Sequence, residues 1–215
     1  DLLIGDLGVA QCEEMFPSGG EPLRDCLDGA YAGVATFYFD THGYHIPLDI
    51  NAPDALALCQ RQPEDYKDRC YSSMVPIVAA LSKYDLAKAV GVFTRSETEH
   101  RWERLVGYLS MVATRNKILV NEPVETLVEV CDTFSREHRA ACVRGIGEGV
   151  FTYSFPEKAV EKTVDFCGLG WEPETSKNCF EGLWFGVTQS FTPEEIVDIC
   201  REYKDELGEH CRDEI

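Results

Sequence analysis

The chain has 215 residues, 44% of them hydrophobic, with 38 acidic against 20 basic side chains and a formal net charge of −18. That length supports a substantial core, the apolar share excludes disorder, and the charge would repel both a nucleic-acid backbone and an anionic membrane surface. No apolar run reaches the roughly eighteen residues that a membrane-spanning helix needs, so no membrane insertion is predicted within this stretch. Basic proteins, cationic peptides and divalent cations are the partners such a field permits, although the same acidity also serves simply to keep an exported protein in solution.

Ten cysteines punctuate the sequence as neighbouring couples: Cys12 and Cys26, Cys59 and Cys70, Cys131 and Cys142, Cys167 and Cys179, Cys200 and Cys211. No C-x-x-C occurs, which removes the usual geometry of redox dithiols and zinc knuckles. Sequential disulfides in an oxidising compartment are the economical reading; the alternative is a set of buried free thiols.

The elements follow in chain order. The sequence opens at Asp1 without a charged-then-apolar leader, which predicts either a removed signal peptide or an excised piece of a longer array. "DLLIGDLGVAQC" reads as the closing helix of a unit. After Cys26, "CLDGAYAG" opens a second kind of helix, with Gly29 and Gly33 three and seven positions beyond the cysteine. "NAPDALALC" is another closing helix, begun at Pro53. In "CYSSMVPI" Ser73 and Ile77 stand where the glycines would be, so that contact is predicted to be looser.

A unit without cysteines follows, "KYDLAKAVGVFTRSETEHRWERLVGYLS". Gly91 or Val92 takes the place of its first cysteine and Trp102 lies near the second, so buried aromatic area is predicted to replace the staple. "NEPVETLVEVC", "SFPEKAVEKTVDFC" and "SFTPEEIVDIC" are three further closing helices, begun at Pro123, Pro156 and Pro193. Thr192 and Glu195 have capping-box spacing. "CVRGIGEG" and "CFEGLWFG" repeat the glycine-bearing helix, with Gly145 and Gly149, then Gly182 and Gly186, stacked one turn apart. Glycine weakens a helix by about 1 kcal/mol relative to alanine, so close approach of a neighbouring helix is the predicted compensation. From Cys131 to Cys167 is 36 positions and from Cys167 to Cys200 is 33, periods typical of helical-hairpin solenoids.

One segment breaks the regularity. "FYFDTHGYHIPLDINAP" lengthens the unit after Cys26, and the excess is predicted to form a loop between helices over residues 38–51. Tyr38, Phe39, His42, Tyr44 and His45 give it aromatic rings with hydrogen-bonding tips, a mix suited to partner contact. The same loop could instead cover exposed apolar surface. Asp40, His42 and His45 have metal-ligand chemistry, but the site assignment made here is partner contact, with neither metal nor cofactor. His100, His138 and His210 fall in or beside the remaining inter-helix loops. No G-x-S-x-G, H-E-x-x-H, P-loop or dinucleotide fingerprint is present, and no catalytic residue is assigned.

The unit running from "CVRGIGEG" to "PEKAVEKTVDFC" resembles a Sel-one-like repeat of the tetratricopeptide superfamily, most of all the secreted, cysteine-rich, disulfide-stapled branch. The shared elements are a glycine-rich first helix, a second helix rich in Ala and Val, and a cysteine at each side of the loop between repeats. The loops between cysteines are longer here, and the family's Leu-Gly and Tyr positions are only partly matched. The resemblance implies an all-α, right-handed solenoid of five to six antiparallel helix hairpins spanning 1–215 as one domain. It also implies a secreted or periplasmic scaffold that binds a protein or peptide. In the superfamily's usual arrangement the first helices, with Tyr31, Tyr108, Trp184 and Phe185, line the concave face. Tyr108 and Trp184 thereby join the partner-contact candidates. The competing classes are an enzyme acting on a cell-wall or small-molecule substrate, of the beta-lactam-binding type, and a structural surface spacer.

Overall fold

The computed structural model describes residues 2–42, 52–96, 102–208, 210 and 211, with side chains from 7–34, 56–96, 102–208, 210 and 211. Among the described residues all regular secondary structure is helical, without a strand. The helices gather into two compact units, Asp1–Leu105 and Val106–Ile215. No described helix is long and apolar enough to cross a membrane.

The first unit contains α1 (Leu2–Met15), α2 (Gly20–His42), α3 (Ala52–Gln60), α4 (Glu64–Leu81) and α5 (Leu86–Ser96). Helix α2 packs on α1 and α4, and α3 packs on α4 and α5. Tyr31, Leu56, Leu58, Tyr71, Met74 and Phe93 are fully buried. Their apolar area, at about 25 cal/mol per Å², is the main stabilising term of this unit. Tyr31 belongs to that core and not to an open face, contrary to its expected place along a binding surface. Its hydroxyl donates to Gln62 Oε1 at 2.8 Å, and Gln62 Nε2 donates in turn to the Leu58 carbonyl at 3.1 Å. Burial pushes the phenol up to about 12.

Helix α2 also runs further than expected. It continues through His42, so Tyr38, Phe39 and His42 lie in a helix and not in an inserted loop. No proline occurs between Pro22 and Pro47, so nothing in that stretch removes a backbone donor and forces an earlier stop.

The cysteine-free stretch is held as the sequence predicts. Trp102 is buried and sits edge-on to Tyr71, with ring centroids 5.0 Å apart. Its centroid is 5.5 Å from that of Phe93. The α5 contribution comes from Phe93 and not from Gly91 or Val92.

The second unit contains most of α6 (Glu103–Leu119), then α7 (Glu125–Cys131), α8 (Arg136–Tyr153), α9 (Ala159–Cys167), α10 (Pro173–Ser190), α11 (Pro193–Glu202) and the single turn α12 (Lys204–Leu207). Pro156 opens a 3-10 turn ahead of α9. Thr192 caps α11 in a complete capping box: its hydroxyl accepts from the Glu195 N–H, and Glu195 Oε2 accepts from the Thr192 N–H at 2.8 Å. One core cluster joins Phe151, Ala159, Val164, Leu183, Val187, Ile196 and Leu207.

All five cysteine couples are disulfides between sequence neighbours, with Cα–Cα distances from 5.4 to 5.7 Å. Cys12–Cys26 ties α1 to α2, Cys59–Cys70 ties α3 to α4, Cys131–Cys142 ties α7 to α8, and Cys167–Cys179 ties α9 to α10. Cys200–Cys211 ties α11 to the turn after α12. Five such bonds mark a protein that works outside the reducing cytosol.

Candidate functional site

Glycine fixes how the helices of the second unit approach one another. A Cβ at Gly145 would lie 2.0 Å from the Gly107 carbonyl oxygen, and one at Gly149 would lie 2.8 Å from Thr114 Cβ. Helices α6 and α8 therefore run parallel with their backbones in contact. On the other side of α8, a Cβ at Gly147 would meet the Cys179 carbonyl oxygen at 2.2 Å. A Cβ at Gly182 would meet the Arg144 carbonyl oxygen at 2.0 Å, and one at Gly186 the Phe151 ring at 2.4 Å. Helix α8 is thus clasped backbone to backbone between α6 and α10. Gly147 takes part equally, yet the three-and-seven spacing does not single it out. Gly29 and Gly33 behave differently: no described atom lies within 4 Å of a Cβ built at either. Both are exposed, so the expected close contact is absent there.

Because α8 and α10 are parallel, side chains 36 to 38 positions apart meet between them. Arg144 Nη2 pairs with Glu181 Oε2 at 2.5 Å. Toward the helix starts Arg136 pairs with Glu174 at 3.3 Å, and Arg139 Nη2 donates to Thr175 Oγ1 at 2.9 Å. Four residues beyond Arg144 and Glu181 on the same two helices stand Glu148 and Phe185, and four further on stand Thr152 and Gln189. Arg144, Thr152, Phe185 and Gln189 are exposed and Glu148 is half-buried. Burial raises the Glu148 carboxyl above its ordinary value of 4.5. Phe185 is 51% exposed, which is high for so large an apolar side chain in mid-helix.

Tyr108 and Trp184 are not brought together, for α8 lies between the helices that carry them. Tyr108 is half-buried on α6, and burial raises its phenol against the opposing charge of Arg115. The Arg115 guanidinium lies over the Tyr153 ring, 5.7 Å from its centroid. Trp184 stands five residues after Cys179, where Gly147 stands after Cys142. It therefore projects from the side of α10 that a following helix would cover. There it packs on the core cluster and stacks on His210, centroids 5.6 Å apart and planes at 20°. Its place is the edge of the core and not the groove.

The side chains of Tyr38, Phe39 and His42, and the whole of Tyr44 and His45, lie outside the described residues, as does the Asp40 side chain. Among the described residues no three His, Cys, Asp or Glu side chains converge as metal ligands. Phe185 and Glu148 were not singled out by sequence reasoning as a pair. Their common position six residues after Cys142 and Cys179 is the signal that would have found them.

No protein-family model matches the chain, and neither a curated protein nor a solved structure is significantly similar to it.

Proposed function

We propose that the chain is an exported helical-repeat scaffold, a right-handed solenoid of antiparallel hairpins similar to Sel-one-like repeats. It acts by binding and not by catalysis, and it holds a protein or peptide partner along the groove between the outer faces of α8 and α10. The observation that carries this reading is Phe185, exposed at the middle of a row of open side chains. The helices beneath are locked by backbone contacts through Gly147 and Gly182. A rigid backing with an exposed aromatic and flanking polar groups is the usual anatomy of a protein-binding surface. The disulfides support export to the periplasm or the extracellular space. Segment 38–51, on its composition of aromatics, histidines and carboxylates, is a second place for partner contact.

Photo-crosslinking tests the reading. A photoreactive residue is placed at Thr152 or Gln189 on the groove, or at Glu129 on α7, in the chain exported by its native host. Discrete adducts from the two groove positions, and none from Glu129, are expected. Adducts from Glu129 alone, or none at all, would rule out the groove as the binding face.

A further inference from the structure

Two ion pairs cross the groove between α8 and α10, and in each a guanidinium of α8 meets a carboxylate of α10. Arg136 faces Glu174 and Arg144 faces Glu181, each acid matched by a guanidinium from the other helix. Four residues further along each helix stand Glu148 on α8 and Phe185 on α10. Both guanidinium nitrogens of Arg144 that reach an acid, Nε and Nη2, are spent on Glu181 Oε2, at 3.1 and 2.5 Å. Glu148 itself has no hydrogen-bond or ion-pair partner among the described residues. A half-buried carboxylate without a partner is costly, and its neutralisation by an incoming cation is correspondingly favourable. An aromatic face beside a carboxylate attracts an ammonium or guanidinium twice over, through the ring quadrupole and through charge.

We propose that Glu148 and Phe185 form a pocket for a single lysine or arginine side chain of the partner, which brings the Glu148 carboxylate a cation of its own. The proposal rests on the scaffold reading above and names the chemistry of its partner. A basic segment is also the one that the net charge of −18 draws in. The local pocket, and not the overall field, then sets which residue docks. Neighbouring groups fit that assignment. Arg144 and Glu181 close the pocket on one side as a neutral pair, and Thr152 and Gln189 on the other side offer polar groups without charge.

The test is a fluorescence-anisotropy titration of the oxidised full chain at about 0.15 M salt, where screening suppresses distant charge effects. The probes are a labelled short peptide of alternating Ala and Lys and its counterpart with Gln in place of Lys. The Lys peptide should bind and the Gln peptide should not. Glu148→Gln and Phe185→Ala should each weaken binding about fivefold or more, while Glu129→Gln, which removes an equal charge from α7, should leave it within about twofold. Unchanged binding in Glu148→Gln, or an equal loss in Glu129→Gln, would overturn the pocket and leave bulk charge as the cause. Groove crosslinks together with a Glu148-independent titration would sink the pocket alone. A titration that follows Glu148 without any crosslink would sink the scaffold reading alone.

Discussion

Glu148 gives the clearest dependence on a single ionisation. Burial raises its carboxyl in the folded chain above the ordinary 4.5, so folding favours the protonated form. The associated stability is fully present below the unfolded value and is lost as pH rises through the raised folded value. Glu148→Gln carries no charge at any pH. The variant should melt higher than the parent at neutral pH, and the gap should close as pH falls toward about 4.5. Melting temperatures of the two proteins across that range check this, and parallel curves would show that the carboxylate is well solvated. Glu195 titrates in the opposite sense. Hydrogen bonds from the Thr192 backbone N–H and hydroxyl hold it below the ordinary range, so its contribution is present above that range and fades as acid protonates it. Glu195 was legible in the sequence because a capping box is a local pattern of four residues. Glu148 was not, since its burial depends on which helix lies alongside α8.

Among the elements, the glycine-bearing helices decide how closely their neighbours approach. Gly145→Ala, Gly147→Ala and Gly182→Ala each place a methyl group within 2.2 Å or less of a backbone carbonyl oxygen on another helix. Backbone cannot rotate aside as a side chain can, so each should destabilise by about 1 to 3 kcal/mol or more. Gly29→Ala meets no described atom and should be neutral or stabilising by up to about 1 kcal/mol. Denaturant unfolding of the four variants separates the cases, and equal costs at Gly29 and Gly145 would contradict the packing described. The sequence spacing correctly marks the glycines of α8 and α10 because both helices have close neighbours. It misleads at Gly29 and Gly33, where the spacing persists without a backbone opposite among the described residues. Trp102→Ala should cost about 3 to 5 kcal/mol, since it empties the space between Tyr71 and Phe93 in the stretch that has no disulfide. An unchanged melting temperature would mean the ring cluster contributes no more than its surface neighbours do.

At the scale of the whole molecule, stability is distributed over many short loops. Each disulfide joins residues eleven to fourteen positions apart, and closing a loop of that size removes unfolded-state entropy worth about 3 kcal/mol. Five such contributions rival the net stability of a typical domain, about 5 to 15 kcal/mol. Reduction should therefore lower the melting temperature sharply, and a melt unaffected by strong reductant would show the bridges to be incidental. The even count and close spacing of the cysteines made these pairings readable from the sequence alone. The burial of Tyr31 was not readable, because it is settled by a partner far along the chain, Gln62, whereas the length of α2 was open to reading in a stretch without proline up to Pro47. The cysteine pairing carries the register of the helices, the oxidising compartment and the alignment of Glu148 with Phe185. Peptide mapping of the unreduced protein by mass spectrometry tests it most directly. The structure predicts only Cys12–Cys26, Cys59–Cys70, Cys131–Cys142, Cys167–Cys179 and Cys200–Cys211, and a linkage between different couples, such as Cys142 with Cys179, would contradict it.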